Sequence, residues 1–264
     1  MENGCELQKE TGSELVLCLE SNALIHTVRE LAETDSTNRV AKELAAGGAS
    51  EGVLVVAEQQ RNGRGRLGRS FFSPDGGIYM SLILRPRIPA EKAVLVTTCA
   101  AVAVARAIDR VCGCRTGIKW VNDIFVDGKK VCGILAEAGL SPESEHPDYI
   151  VLGIGINVRK QSVPEELKDI VGCLEKNRTD TIKKEVLIAA LWEEFSELSQ
   201  NLSTAVYMDE YRERSVLLGR EVTVLAPEGN YKAVVTDIDQ EGRLVILREG
   251  KSVLLSSGEV SVRL

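Results

Sequence analysis

A short run of glycine and arginine most constrains how this chain folds. Gly63–Arg69 reads G-R-G-R-L-G-R, which places three arginines and three glycines in seven residues of a chain whose net charge is −7. Apolar, strand-like runs lie on either side, at Gly52–Ala57 and Ile78–Leu84. Glycine lets the backbone approach a ligand closely, and arginine offers planar charged donors that suit phosphate and carboxylate. The pattern predicts a loop between two strands that clamps an anion and is poorly ordered until the anion arrives.

The same run matches the glycine pattern of dinucleotide-binding folds but not its context. Gly63, Gly65 and Gly68 satisfy G-x-G-x-x-G, whose third glycine should open a helix and be followed by an acid about twenty positions on. Here residues 70–77 read S-F-F-S-P-D-G-G, which is turn material, and the region near position 83 is apolar. The sequence therefore argues against a Rossmann fold.

Charge and hydropathy restrict the partners. The 264-residue chain is acidic overall, and its basic patch at 61–69 has no interleaved aromatic residues. Since nucleic-acid-binding domains present a wider basic face, we expect a small anionic ligand and no nucleic acid. The longest apolar stretch, Val94–Ile108, is too short and too polar to cross a bilayer, and the N-terminus shows no secretory signal. These features predict a cytoplasmic protein without membrane contact.

The cysteines indicate a reducing compartment. None of the seven falls in a C-x-x-C pair. Cys112, Cys114 and Cys132 raise the alternative of a metal site, but their spacing matches no zinc template and the chain has only two histidines. We expect free thiols and leave metal ligands unassigned.

Helix-like and strand-like patterns alternate along the first part of the chain. A helix is predicted to begin at Thr34–Asn38, capped by Asp35 or Ser36, and to end at Gly47-Gly48. The remaining predictions are helices over about 90–111 and 182–198, strands over 117–120, 130–136 and 149–157, and a hairpin turn at Asp127-Gly128. Beyond about residue 215, short and evenly spaced strand-like runs without helices predict a small β barrel.

A second polar motif, K-W-V-N-D-I, occupies Lys119–Ile124. Burying an ammonium group is expensive unless an anion meets it, so Lys119 beside Trp120 suggests a phosphate or carboxylate partner. A surface lysine stacked on an indole is the alternative. Asn122 and Asp123 have side chains that suit hydrogen bonding or magnesium, although turns at strand ends use the same residues.

Seven motifs in one order give the chain a resemblance to a known family. They are D-S-T-N (35–38), A-E-Q-Q (57–60), G-R-G-R-L-G-R, F-S-P-D-G-G-I-Y-M-S-L, K-W-V-N-D-I, G-K-K-V-C-G-I-L-A-E and G-I-G-I-N, and together they cover about residues 31–160. The chain resembles biotin protein ligases (biotin–[acetyl-CoA-carboxylase] ligases). The resemblance implies an α+β fold: a catalytic domain like that of class II aminoacyl-tRNA synthetases over 1–214, a mixed sheet with helices, and an SH3-like barrel over 215–264.

The resemblance also implies a reaction. Biotin and ATP form biotinyl-5′-AMP and pyrophosphate with Mg²⁺, and a lysine of a biotin carboxyl carrier protein domain then takes the acyl group. Both reactants are anionic, so positioned cations must offset their repulsion. By resemblance the catalytic residues are Lys119, Arg64 and Arg66. The residues expected to bind biotin or ATP are Ser36, Thr37, Asn38, Gln60, Arg64, Gly65, Arg66, Lys119, Gly133 and Asn157.

Some readings stay open at this point. Ser36 and Thr37 have helix capping as an alternative role, and Gly153 and Gly155 have close strand packing. The family usually has proline where Val121 stands and a small residue where Cys132 stands. A lipoate ligase and an adenylate-binding regulator without transfer are the alternative functions. The resemblance to a monofunctional ligase implies no N-terminal DNA-binding domain, and an exposed edge strand leaves room for a homodimer.

Overall fold

The computed structural model describes residues 13–140, 144–175, 181–226, 229–256 and 261–263. In chain order the elements are α1 (Glu14–Leu19), β1 (Thr27–Thr34), α2 (Thr37–Ala46), β2 (Val53–Gln60), β3 (Ile78–Leu84), α3 (Val94–Cys112), β4 (Gly117–Lys119), β5 (Asp123–Val126), β6 (Lys129–Gly139), β7 (Tyr149–Ile156), α4 (Lys184–Ser199), α5 (Met208–Glu213), β8 (Glu221–Ala226), β9 (Gly229–Ile238), β10 (Leu244–Arg248), β11 (Lys251–Leu255) and β12 (Ser261–Arg263), with 3-10 turns at Arg66–Gly68, Ala90–Lys92 and Glu165–Leu167.

A seven-stranded mixed sheet forms the larger part of the molecule. Its strand order is β1-β2-β3-β7-β6-β5-β4, with β1 and β2 parallel and every other pair antiparallel. The parallel pair is joined by α2, since parallel strands need a crossover between them. One face of the sheet packs against α2, where Ala41 and Ala45 meet Val53 and Ile83. This arrangement places the N-terminus of α2 above the middle of the sheet.

The opposite face carries α3, which lies between the sheet and α4. Its long run of small and branched apolar residues is buried on most faces, as its alanine- and valine-rich sequence predicts. Strand β3 is buried along all seven residues because helices cover both of its faces. Within the residues that the structure describes, no helix is long and apolar enough to cross a membrane.

The last strands form a separate five-stranded antiparallel sheet, ordered β11-β10-β9-β8-β12. It packs beside β4, where the Trp120 indole N–H donates to the Gly242 carbonyl at 2.9 Å. The Tyr211 hydroxyl donates to the Val121 carbonyl at 3.0 Å, and the Trp120–Val121 peptide bond is cis. The predicted mixed sheet followed by a small β unit is confirmed, while the boundary at 214/215 stays a prediction.

Several details differ from the sequence expectations. The predicted helix over 90–111 divides into a 3-10 turn and α3. The helix predicted over 182–198 corresponds to α4, which begins at Lys184. The sequence analysis did not predict the strands β1 and β5 or the short helices α1 and α5. Polar residues interrupt the pattern of β1, and the other three elements are only four to six residues long, too short to show a period. Ser36 stands at the N-cap of α2, but its side chain makes no capping hydrogen bond. Residues 1–12, which carry the expectation about a signal sequence, lie outside the described residues.

Candidate active site

One cavity of about 780 Å³ opens on the α2 side of the mixed sheet. Its lining includes every residue that the sequence analysis assigns to catalysis or ligand binding: Ser36, Thr37, Asn38, Gln60, Arg64, Gly65, Arg66, Lys119, Gly133 and Asn157. They come from α2, β2, the arginine loop, β4, β6 and the end of β7. Residues separated by more than a hundred positions thus face one volume, and their individual roles stay predictions.

The arginine loop, residues 61–70, folds back on itself at the mouth of this cavity. The Gly65 N–H donates to the Arg69 carbonyl at 2.7 Å, and the Phe71 N–H donates to the Gly63 carbonyl at 2.8 Å. A side chain at Gly63 would come within 2.4 Å of Ser73 Oγ, so glycine is needed there. The exposed side chain of Leu67 stands at the tip. The predicted loop between two strands is confirmed, and its mobility without ligand stays a prediction.

The four arginines of this loop differ in their surroundings. Arg61 is exposed and pairs with Glu33, outside the cavity. Arg66 is half-buried and donates to Asn122 Oδ1 at 3.3 Å. Burial lowers the pKa of Arg66, Asp123 opposes that shift and Arg69 adds to it. An anion placed beside Arg66 and Arg69 would relieve the repulsion between them.

Two lysines and one carboxylate lie next to the arginine loop in the cavity lining. Lys119 is the last residue of β4, and its Nζ lies 5.8 Å from the centre of the Phe125 ring. Lys130 Nζ lies 2.7 Å from Asp123 Oδ1 and 5.6 Å from the centre of the Phe71 ring. We call the arginine loop, Lys119 and Lys130 the cationic end. Its excess positive charge suits a ligand with several negative charges.

The other end of the cavity is neutral and its polar groups are bonded to one another. Gln60 Oε1 accepts from the Thr37 N–H at 2.8 Å and from the Thr37 hydroxyl at 3.1 Å. Gln60 Nε2 donates to Ser73 Oγ at 3.0 Å. Ser81 Oγ lies 2.8 Å from Thr37 Oγ1 and 2.7 Å from Asn38 Oδ1. Because Thr37, Asn38 and Ser81 are buried, these bonds hold the side chains in fixed orientations.

Asn38 is fixed from both sides. Its Nδ2 donates to Glu137 Oε2 at 2.9 Å, and Lys42 Nζ donates to Glu137 Oε1 at 3.0 Å. Burial acts to raise the pKa of Glu137, but the bonds from Asn38 and Lys42 outweigh it and hold the pKa below its usual value. A Cβ at Gly153 would lie 1.8 Å from Asn38 Oδ1. Gly153 is therefore required by the Asn38 side chain. We call Thr37, Asn38, Gln60 and Ser81 the neutral end.

Several residues of the site, including Lys130 of the cationic end, lay outside the sequence predictions. Ser81 and Ser73 complete the hydrogen bonds of the neutral end, Glu137 orients Asn38, and the Phe71 ring lies over Gly155 and Gly133. A Cβ at Gly155 would come within 2.5 Å of that ring. The one available signal was Ser81, a polar residue inside the apolar run I-Y-M-S-L-I-L.

The cavity offers few ligands for a metal ion. Asp123 and Asp169 are the carboxylates in its lining, and within the described residues no group of three His, Cys, Asp or Glu side chains is placed to hold a metal. Such a donor set does not fit an all-protein site, but it fits Mg²⁺ that is carried mainly by substrate phosphates. Asn122 is engaged with the Ile134 carbonyl at 2.8 Å. Cys132 packs into the core and does not line the cavity.

Comparison with known proteins identifies the family. The model of the Biotin/lipoate A/B protein ligase family matches residues 31–157, and that of the Biotin protein ligase C terminal domain matches residues 217–263. A biotin–[acetyl-CoA-carboxylase] ligase of Mycobacterium tuberculosis is 32% identical over 240 residues, covering 87% of this chain and 86% of that protein. The chain belongs to the biotin protein ligase family. The implied fold, an α+β catalytic domain with an SH3-like C-terminal unit, is confirmed.

Other relatives extend the comparison. A bifunctional ligase/repressor BirA of Bacillus spizizenii is 38% identical over 217 residues; the match covers 80% of this chain and 66% of that protein's length. A structure of biotin protein ligase from Aquifex aeolicus in complex with biotin and ATP superposes with a TM-score of 0.77 at 30% identity, covering 90% of this chain and 99% of that one. The fold that surrounds the cavity is thus shared with a ligase that holds both small molecules.

Proposed function

We propose that this protein joins biotin to ATP and transfers biotin to a specific lysine of a biotin carboxyl carrier protein domain. The observation that carries the proposal is the cavity with two unlike ends. Its neutral end presents fixed hydrogen-bonding groups to an uncharged head group, and its cationic end presents lysine and arginine to anions. A biotin molecule with its carboxylate beside a triphosphate needs this combination.

In the first step a carboxylate oxygen of biotin attacks the α-phosphorus of ATP. The bond between that phosphorus and the bridging oxygen breaks, and pyrophosphate leaves with the electron pair. In this proposal Lys119 bridges the biotin carboxylate and the α-phosphate, while Arg64 and Arg66 hold the phosphates against their own repulsion. Mg²⁺, when bound to the phosphates, neutralises part of the leaving charge.

In this proposal the neutral end determines which carboxylic acid the protein binds. Thr37, Asn38 and Gln60, with Ser36 beside them, bind the ureido head of biotin, and the glycine at 133 leaves room beside the ring. Asn157, at the end of β7, is buried and lines the nucleotide side of the cavity. These roles follow the family resemblance and the positions of the side chains.

In the second step the neutral amine of an acceptor lysine attacks the acyl carbon, the bond between that carbon and the phosphate oxygen breaks, AMP leaves with the electron pair, and the nitrogen loses one proton to solvent. The mixed anhydride hydrolyses if water reaches it, so a loop that orders over the adenylate protects it. The arginine loop at the mouth of the cavity is the segment in position to do this. The acceptor enters through the same mouth.

The test is ATP–pyrophosphate exchange by the purified protein with Mg²⁺ and biotin, lipoate or no acid. Exchange with biotin alone is expected. Exchange with lipoate alone would reassign the substrate, an alternative that the shared biotin/lipoate family model keeps in view. A carrier domain is then added with biotin and ATP, and the mass of its target lysine is measured. Adenylate formation without transfer would instead indicate a binding regulator.

Three further expectations stand as parts of the proposal. We infer a cytoplasmic location and no nucleic-acid partner from the composition. An exposed edge strand leaves room for a homodimer, and within the described residues the outer edge of β1, which pairs with β2 alone in the mixed sheet, is one such edge. Sedimentation of the protein with and without biotin and ATP measures the last of these, and a monomer under both conditions would contradict it.

A further inference from the structure

We propose that the ring of Phe71 shields the junction between the two ends of the cavity from water and so preserves the adenylate for transfer. The inference rests on the proposed function, which makes this junction the place where the biotin carboxylate meets the α-phosphate. Phe71 directly follows the arginine loop in sequence and lies partly buried in the cavity lining. Its side chain has no polar group, so its contribution comes from the space that it fills.

The floor of this junction is strand backbone without side chains. On β7, Gly153 lies under Asn38 of the neutral end, since a Cβ at Gly153 would come 1.8 Å from the amide oxygen. Gly155 lies two residues further along the same face and pairs in register with Gly133 of β6. A Cβ at Gly133 would come 3.2 Å from Lys130 Nζ, which belongs to the cationic end. The three glycines thus lead across the sheet from one end of the cavity to the other.

The Phe71 ring rests on the middle of this floor. A Cβ at Gly155 would come 2.5 Å from the ring, and a Cβ at Gly133 would come 2.8 Å from it. The space between the ring and the backbone is therefore too small for a methyl group, and it excludes a water molecule for the same reason. Both ends line one cavity with the ring in place, so the ring forms a wall and leaves a path for the ligand beside it.

Contacts from the protein itself hold the ring in this position. The Phe71 N–H donates to the Gly63 carbonyl at 2.8 Å, and the Ser73 hydroxyl donates to the Phe71 carbonyl at 2.9 Å. The ring meets the Tyr79 ring edge-on, with 6.5 Å between their centres, and Lys130 Nζ lies 5.6 Å from its centre. The wall is thus in place without a ligand and can cover the adenylate as soon as it forms.

The reaction that the ring opposes is hydrolysis of the adenylate. A water oxygen bonds to the acyl carbon of biotinyl-5′-AMP, and the bond between that carbon and the phosphate oxygen breaks. AMP leaves with the electron pair, and both protons of the water pass to solvent. Each such event consumes one ATP without modifying a carrier lysine. An apolar wall beside the acyl carbon fills the space that the attacking water would occupy.

The first test is Phe71→Ala, assayed with biotin, ATP and Mg²⁺ in the absence of any carrier domain. AMP release measures hydrolysis, and chromatography of the products shows whether free biotinyl-5′-AMP accumulates. We expect AMP release to rise about tenfold or more, with no free adenylate, because water reaches the acyl carbon inside the cavity. Pyrophosphate exchange should change less than about threefold, since the charged and hydrogen-bonding groups of both ends remain. Phe71→Leu, which keeps part of the wall, should give an intermediate rate of AMP release.

Gly155→Ala displaces the same ring from below and provides a second route should Phe71→Ala fold poorly. AMP release should rise as in Phe71→Ala, and adding Gly155→Ala to Phe71→Ala should raise it by less than about twofold, because the ring is already gone. Gly139→Ala is the matched control. Gly139 is also a strand glycine under an aromatic ring, with a Cβ that would come 2.4 Å from Tyr149, but it lies outside the cavity. Its AMP release should equal that of the unaltered protein.

Three results would overturn the inference: unchanged AMP release in Phe71→Ala, accumulation of free biotinyl-5′-AMP in place of hydrolysis, or an equal rise of AMP release in Gly139→Ala. Biotin-dependent pyrophosphate exchange by the unaltered protein upholds the proposed function in each of these cases. Loss of that exchange in the unaltered protein would overturn both.

Discussion

The two ends of the cavity are built on opposite principles. At the neutral end, Thr37, Asn38 and Ser81 are buried, and Ser81 Oγ lies 2.7 Å from Asn38 Oδ1 and 2.8 Å from Thr37 Oγ1. At the cationic end, Arg64, Arg66 and Arg69 share a glycine-rich loop, and repulsion from Arg69 contributes to lowering the pKa of Arg66. The difference teaches that one cavity can combine side chains fixed by mutual hydrogen bonds with like charges that an anionic ligand would neutralise.

The largest effect should come from Lys119→Ala at the cationic end. Because we propose that Lys119 contacts both reacting anions, its removal should lower pyrophosphate exchange by about 10²-fold or more, the scale of a lost charge-stabilising donor. Biotin binding without ATP should change far less. Lys160→Ala, an exposed lysine outside the cavity, is the control. A loss below about threefold would remove Lys119 from the mechanism.

Arg66→Ala should act in the same direction but more weakly, by about tenfold in exchange, because Arg64 and Lys119 remain near the phosphates. Its matched control is Arg61→Ala in the same loop, since that guanidinium pairs with Glu33 away from the cavity. Equal losses for the two variants would mean that the loop acts through its total charge and not through the placement of Arg66.

Gly153→Ala disturbs the neutral end sterically and leaves every charged side chain of the cavity unchanged. The added methyl would lie 1.8 Å from Asn38 Oδ1, so the amide must move. We expect the biotin KM to rise about fivefold, the scale of one displaced hydrogen bond, with the KM for ATP unchanged. Val151→Ala on the same strand removes a buried side chain packed against α2 and should lower stability while leaving the biotin KM alone. A change in the KM for ATP after Gly153→Ala would contradict the division between the two ends.

Tyr211→Phe should have the smallest effect on activity. It removes the hydroxyl that donates to the Val121 carbonyl, two residues beyond Lys119, and leaves that buried carbonyl without this donor. We expect the free energy of unfolding to fall by about 1–2 kcal/mol in urea titrations. Exchange should fall less than about threefold. Tyr231→Phe, on a partly exposed strand of the C-terminal sheet, is the comparison variant, and an equal loss of stability there would contradict the role of the Val121 bond.

The two ends also differ in how well the sequence predicts them. The sequence alone indicates a functional role for Arg64, Arg66 and Lys119, because charges clustered with glycines are rarely needed to stabilise a fold. The residues of the neutral end that were predicted, Thr37, Asn38 and Gln60, came from the family resemblance, and the local pattern alone offered helix capping for Thr37 and no role for Gln60. Ser81 and Glu137 escaped prediction because their partners lie 43 and 99 positions away from them in sequence. Hydrogen bonds across such separations exist only after the sheet has brought β3, β6 and α2 together.

The fold shows the same division. Strands around the apolar motifs, such as β3 and β7, follow from their composition, since a strand covered on both faces is apolar throughout. The edge strand β1 reads T-V-R-E-L-A-E-T, where solvent on its outer side permits charged residues and hides the pattern. The small C-terminal sheet was predictable from its regular turns. Its contact with Trp120 was not, because nothing near Gly242 in sequence signals a carbonyl that accepts from an indole.

Hydrogen–deuterium exchange most directly tests the contrast between a neutral end that is ordered without ligand and a cationic end whose loop becomes ordered only with both ligands. Peptides that cover residues 61–70 and peptides from α2 and β3 are followed in the free protein, with biotin, and with biotin plus a non-hydrolysable ATP analogue. The account predicts fast exchange in the loop until both ligands are present, and slow exchange in α2 and β3 under all three conditions. A loop equally protected in the free protein, or α2 and β3 protected only after biotin binds, would contradict it.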